Sequence, residues 1–336
     1  MKSNLLFGTP LSQTISEQYS CLHSGCGLIE LTQYKVIELI GEDRESWLQG
    51  QITNDIRILK HGDSMKFCIC QPAGQIIGIG RLWKLSNSLI LIMDKQSAEN
   101  FLNRCEQSII LEDVKPVLRK GLLLSLQGPL SEKCLAESFG FSPGKTGYVE
   151  IEGMRVYYFK SIRIGDEGWD LLIENPEKLS SAEWIKPFSK ISKEVFSIVC
   201  LESGIPEMGV DIQSKTLVPE LGPNFERSHI SYQKGCYTGQ EVLMRIHSRG
   251  HTNQTWMALS AEHEVAPDAH LSHSKFTNGG KITRVSWSPK FGFIAGAYLK
   301  NEIAKEGETV FVQDSKNRQE ARVYNMPLYA RLSEAG

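Results

Sequence analysis

The sequence predicts an α+β fold class in three units, and three observations carry that reading. From residue 34 onward short alternating strands interleave with amphipathic helices, the pattern of antiparallel sheets with helices packed on one face. Residues 116–193 run strand, helix, two strands, then strand and helix, which fits a small ferredoxin-like layer compact enough to be an insertion. After Gly250 helical spacing stops, and short strands alternate with Gly, Asn, Asp and Pro clusters, as in a small C-terminal β-barrel or sandwich. The expected domains are 1–115 together with 194–250, then 116–193, then 251–336.

Each element has its own signal. Tyr34 to Ile40 reads as a strand, and Gly41-Glu42-Asp43 leads into a helix carrying Trp47 and Leu48. Met65 to Cys70 and Ile76 to Trp83 flank the turn Pro72-Ala73-Gly74 as a hairpin, Leu89 to Met93 adds a third strand, and a helix follows around residues 96–107. In the second unit Leu122 to Leu126 is an apolar strand and Gln127-Gly128-Pro129 starts a helix. Tyr148 to Glu152 and Arg155 to Lys160 form a hairpin about Gly153, and Trp169 to Ile173 precedes a helix near residues 176–188. An apolar pattern of Val195, Phe196, Ile198, Val199 and Leu201 opens the returning segment. Barrel strands are expected at Trp256–Leu259, Gly280–Trp287, Phe291–Tyr298, Thr309–Val312 and Ala321–Tyr324.

Composition narrows the class of protein. The 336 residues are 41% hydrophobic and 23% charged, ordinary for a soluble globular chain with several domains. The 37 basic and 39 acidic residues leave a net charge of −2, which gives no general drive toward nucleic acid or an anionic membrane, so no direct nucleic-acid partner is expected. Leu5-Leu6-Phe7 is too short for a signal-peptide core, and no run of about 18 apolar residues occurs, so a cytoplasmic protein with no membrane partner is expected. The eight cysteines are scattered without secretory context and are read as reduced thiols. No metal is expected at Cys21 and Cys26, because no second pair stands at zinc-finger spacing. Cys68 and Cys70 alternate on one side of a strand, where core packing is the simpler account.

One stretch concentrates chemistry: Lys234-Gly235-Cys236-Tyr237-Thr238-Gly239-Gln240-Glu241. Thr238 and Glu241 have the spacing of a capping box, Val242, Leu243 and Ile246 recur at helical spacing, and Gly250 is placed to close the helix in a left-handed conformation. Cys236 then lies just outside a helix N-terminus with the Lys234 charge nearby, a setting that favours a thiolate. The same residues also suit inert packing around a turn, and both readings stand on spacing alone.

This octapeptide resembles the signature of the YgfZ family of folate-binding proteins, relatives of the aminomethyltransferase (T-protein) of the glycine cleavage system, and weaker similarity extends over most of the chain. The resemblance implies a three-domain aminomethyltransferase-like ring around a folate channel, with tetrahydrofolate or another reduced folate as the ligand. It places aromatic Tyr34 and Phe196 against folate, on the anchors Gly41-x-Asp43, Gln49-Gly50-Gln51 and Glu202-Ser203-Gly204-Ile205-Pro206. Glu202, in Leu201-Glu202-Ser203-Gly204, is similar to the glutamate that reads the pterin, and Asn54 belongs to a shared Thr-Asn-Asp turn. Without the resemblance, Tyr34 and Phe196 would be read as core, Glu202 as a solvated helix-end carboxylate and Asn54 as a backbone cap.

The chain departs from the aminomethyltransferases where their chemistry resides. They follow the hairpin turn with a Gly-Gly-x-x-Asp-Asp type stretch whose aspartate assists one-carbon transfer, whereas this chain has Gly74-Gln75-Ile76-Ile77-Gly78-Ile79, without a carboxylate. Losing a proton-transferring group removes about a hundredfold or more in rate. That argues against an aminomethyltransferase. The resemblance instead implies an accessory role in iron-sulfur cluster assembly or repair, with iron-sulfur cluster proteins as partners, indirect support of tRNA modification, and Cys236 as the functional thiol. A glycine-cleavage-type enzyme and a non-catalytic scaffold are the alternatives.

Overall fold

The computed structural model describes residues 14–165, 167–267, 269–313 and 318–329. The chain divides into two compact units, one of residues 1–36 and 118–199, the other of residues 37–117 and 200–336.

The first unit is built on a six-stranded sheet. Its apolar strands Leu122–Gln127 and Gly168–Ile173 are buried along their whole length and pair antiparallel, with Ser125 opposite Asp170 and Gln127 opposite Gly168. Strands Met154–Lys160 and Thr146–Ile151 continue the sheet, joined by a tight turn in which Glu152 and Gly153 both take positive φ. Strand Gly27–Glu30 pairs on the other side of Leu122–Gln127 and brings in Ser189–Ile191 as a parallel neighbour. Neither of these two short strands has a sequence pattern of its own. Helix Ser131–Phe139 contributes Leu135 to a core that holds Trp169, Leu171, Tyr158 and Trp184.

The helix expected near residues 176–188 is not formed. Pro176–Ser181 is a short 3-10 turn that follows Asn175 in the left-handed region, and the chain then leaves helical conformation at Ala182. The carboxylate of Glu152 accepts from the backbone N–H groups of Glu183 and Trp184, and Pro187 has no N–H to continue a helix. Apolar content there serves burial of Leu179, Trp184, Ile185 and Phe188, with no helical period.

The second unit contains the hairpin Ser64–Cys70 and Ile76–Lys84 and the strand Leu89–Asp94, in a five-stranded sheet completed by Tyr34–Ile40 and Lys115–Leu118. Alternation along Ser64–Cys70 separates two cores: Met65, Phe67 and Ile69 pack with Trp47, Leu48 and Phe101, while Cys68 and Cys70 pack with Tyr237, Leu243 and Phe225. Helix Lys95–Ser108 is capped by Asp94, whose carboxylate accepts from the Ser97 N–H.

The C-terminal segment is a closed six-stranded barrel, which leaves no unpaired strand edge. Its order is Gln254–Ala261, Gly292–Lys300, Phe276–Ser288, His270–His273, Thr309–Gln313 and Arg318–Tyr324. Five of these match the expected strands. His270–His273 lacks apolar alternation and is recognisable only once its two neighbours are in place.

Candidate functional site

Two turns 180 residues apart in sequence are stitched together in the second unit. Thr53 donates its hydroxyl to the His229 carbonyl at 2.6 Å, and the Ser231 N–H donates to the Thr53 carbonyl at 3.1 Å. Asn54 donates its amide to the Lys66 carbonyl at 2.9 Å and the Ser228 carbonyl at 3.3 Å, while its own oxygen accepts from the Asp55 N–H at 3.0 Å. The polar atoms of Asn54 thus bond backbone groups.

Lys234 completes the stitch. Its side chain is buried, and Nζ donates to the carbonyls of Gln49 at 2.6 Å, Ile52 at 2.6 Å and Asn54 at 3.0 Å, with the ring of Tyr237 4.9 Å away. Three acceptors match the three N–H bonds of an ammonium. Burial pulls its pKa down to about 7, against the attraction of Asp55 and with help from Arg57. Asp55 itself is held down to about 2, chiefly by the hydrogen bond from Arg57, and by that from Gln49. Lys234 therefore fixes the backbone of the turn at Gln49–Asn54, a role that its place beside Cys236 in sequence does not reveal.

The loop beyond Lys234 departs from the expected capping box. Helix Gln240–Arg249 has Gly239 as its N-cap, left-handed at φ 88, with no side-chain cap. A Cβ on Gly239 would come within 2.6 Å of the Gln71 carbonyl oxygen, so the loop can close onto the hairpin turn only with glycine there. That approach sets the N-cap one residue after Thr238, whose N–H donates to the Gly50 carbonyl at 3.2 Å. At the other end Gly250 is extended, at φ −121, and its N–H donates to the Ile246 carbonyl. Tyr237 is buried against Cys68 and Cys70, and burial raises its pKa. Of the eight cysteines Cys236 is the exposed one; Gly235 and Gln240 flank the loop and Glu241 lies in the first helical turn.

Behind the loop His229 is buried, stacked on Phe225 at 3.7 Å, with Nδ1 2.9 Å from the Phe225 carbonyl. Burial, with the nearby charges of Lys66 and Arg81, pulls its pKa down to about 3, so the ring is neutral and Nδ1–H donates. Glu202, at the end of helix Lys193–Glu202, is fully buried and accepts a hydrogen bond from the Tyr329 hydroxyl. A solvated helix-end carboxylate is thereby corrected. Tyr329 lies 127 residues away from Glu202, and no sequence signal connects the two.

The two aromatic candidates belong to the first unit. Phe196 is 5% exposed, on the same helix as Glu202 but six residues earlier. Tyr34 is half-buried at the start of strand Tyr34–Ile40, and the Arg163 guanidinium carbon stands 4.7 Å from its ring centroid. Sequence reading did not single out Arg163.

The model of the GCVT N-terminal domain family matches residues 4–222, and so ends before Lys234. Among curated proteins, a tRNA-modifying protein YgfZ of Hamiltonella defensa is 29% identical over 252 residues, 72% of each chain. That of Yersinia enterocolitica is 26% identical over 287 residues, 83% of this chain and 86% of its own. Among solved structures, the glycine cleavage system aminomethyltransferase T from Bartonella henselae superposes with a TM-score of 0.80 over 94% of this chain and 89% of its own, at 18% identity. The α+β architecture with its C-terminal barrel is thus that of an aminomethyltransferase T-protein. Among the described residues no helix is long and apolar enough to cross a membrane.

Proposed function

We propose, because the chain belongs to the GCVT N-terminal domain family, that it binds a reduced folate, tetrahydrofolate, and serves as an accessory protein of iron-sulfur cluster assembly or repair. Relatives named for tRNA modification support the reading: methylthiolating tRNA enzymes carry such clusters, so the link to tRNA is indirect. In this reading Tyr34 and Phe196 supply aromatic contact to folate, Glu202 a carboxylate for the pterin, and Asn54 the backbone geometry of its turn. The cytoplasm is the proposed compartment.

One observation carries the role of Cys236. It is the exposed thiol of the chain, on a loop whose base is fixed by the buried Lys234 ammonium and whose far end is fixed by the close approach of Gly239 to Gln71. A rigid base under an accessible thiol suits transfer of a persulfide sulfur or engagement of a partner thiol. One cysteine cannot hold a stable cluster, which takes four ligands.

Calorimetry with tetrahydrofolate tests the ligand. Wild type is expected to bind with micromolar affinity, about −8 kcal/mol, and Tyr34→Ala or Phe196→Ala to lose it. Correctly folded wild type that takes up no folate would remove the proposal. For the thiol, Cys236→Ser is expected to fail to restore cluster-enzyme activity in cells lacking the protein. Aminomethyl transfer is the second reading, supported by the T-protein fold. The carboxylate-free run from Gly74 to Ile79 opposes it, and one-carbon transfer from a methylamine donor would reinstate it.

A further inference from the structure

We infer that Arg163 is a positioning residue for Tyr34, held beneath its ring by a buried polar network; the inference rests on the folate reading of Tyr34. The guanidinium carbon lies 4.7 Å from the Tyr34 centroid, within cation–π range. Arg163 is itself fixed at two points: Nε donates to Asp170 Oδ1 at 2.9 Å and Nη2 to Oδ2 at 2.7 Å. That fork is the geometry in which a guanidinium holds a carboxylate most rigidly.

The carboxylate is locked in turn. Asp170 is fully buried and also accepts from the hydroxyls of Ser125 and Ser161, each at 2.8 Å. Gln127 closes the network: its amide donates to Ser125 Oγ at 2.9 Å and the Ser161 carbonyl at 2.8 Å, and its oxygen accepts from the Arg163 N–H at 2.9 Å. Gly168, opposite Gln127 in the sheet, makes room for that amide, since a Cβ there would meet the Gln127 oxygen at 2.3 Å.

Two consequences follow for the ligand. The ion pair is neutral as a unit and its Nε and Nη2 donors are turned onto Asp170, so the pair offers little net charge to the anionic glutamyl tail of a folate. Its work is on Tyr34, where a fixed cation under one face limits how the ring tilts. An aromatic ring held in its binding orientation before the ligand arrives loses less entropy on binding. Lysine in place of Arg163 keeps the charge but loses both the fork and the flat surface under the ring.

The test is a double-mutant cycle in the full chain, read by tetrahydrofolate calorimetry, with thermal melting to establish that each variant folds. Arg163→Lys is expected to weaken binding about five- to tenfold. In a Tyr34→Leu background, which keeps an apolar contact but no ring, the same replacement is expected to add no further loss. If Arg163→Lys does not fold, Arg163→Met with Asp170→Asn removes both charges together and carries the same expectation. Wild-type affinity in the Arg163 variant overturns the inference, as does an equal loss in both backgrounds, which would mean that Arg163 acts without Tyr34. Wild type that binds no tetrahydrofolate defeats the folate reading itself, a result distinct from the other two.

Discussion

Lys234, buried, and Arg163, partly buried, are both cations beside a tyrosine ring, at 4.9 Å from Tyr237 and 4.7 Å from Tyr34, yet their charges are met in opposite ways. Arg163 faces a carboxylate, Asp170, with full hydrogen bonding around it. Lys234 faces three backbone carbonyls and has the carboxylate of Asp55 as a nearby charge only. Ion-pair burial gives a fixed support for a side chain. Carbonyl dipoles give a fixed backbone turn, at the expense of holding an ammonium that burial tends to discharge.

The comparison is broken most severely from the carboxylate side. Asp170→Ala would take the buried carboxylate away from the partly buried Arg163 guanidinium and from the hydroxyls of Ser125 and Ser161. Removing one member of a buried pair costs about 3–5 kcal/mol, and urea unfolding is expected to report a loss of that size. A loss below about 1 kcal/mol would place Arg163 in the class of exposed pairs, and its support of Tyr34 would have to be abandoned.

Lys234→Met is the gentler change, because what it leaves behind is neutral. Three carbonyls lose a donor and a loss of about 1–3 kcal/mol is expected. Its distinguishing mark is pH dependence. The folded-state pKa of Lys234 lies at about 7, below the unfolded value of 10.5. Between those values the unfolded chain binds the extra proton, so this group makes the folded state more stable as pH rises through the window. The stability difference between wild type and Lys234→Met should therefore widen from pH 7 toward 10.5. Parallel curves would mean that the carbonyls hold the ammonium as firmly as water does.

These two cations also mark what a sequence can disclose. Hairpin Ser64–Cys70 with Ile76–Lys84, helix Lys95–Ser108 and five barrel strands were legible because local period and turn chemistry specify them. Strands Gly27–Glu30, Ser189–Ile191 and His270–His273 were not, since each is defined by the neighbours it pairs with. In the site, the Thr53-Asn54-Asp55 turn and the Lys234 loop both stood out separately; the hydrogen bonds joining them span about 180 residues and leave no periodic trace. Arg163 and Tyr329 were missed for the same reason. The capping box failed differently: its spacing was present, but the tertiary approach of Gly239 to Gln71 decided where the helix begins.

The smallest expected effect on stability sharpens the contrast further. Cys236 is exposed, two residues beyond the buried Lys234, so Cys236→Ser should change unfolding free energy by no more than about 0.5 kcal/mol. If the loop exists to present a thiol, that near-silent substitution abolishes the support of cluster enzymes, while Lys234→Met weakens both stability and support in proportion. If instead the loop exists only to shape the turn, Lys234→Met alone will matter, and Cys236→Ser will behave as wild type in both measurements. The pair of variants separates a fixed base from the group it carries, because only one of the two side chains has any packing to lose.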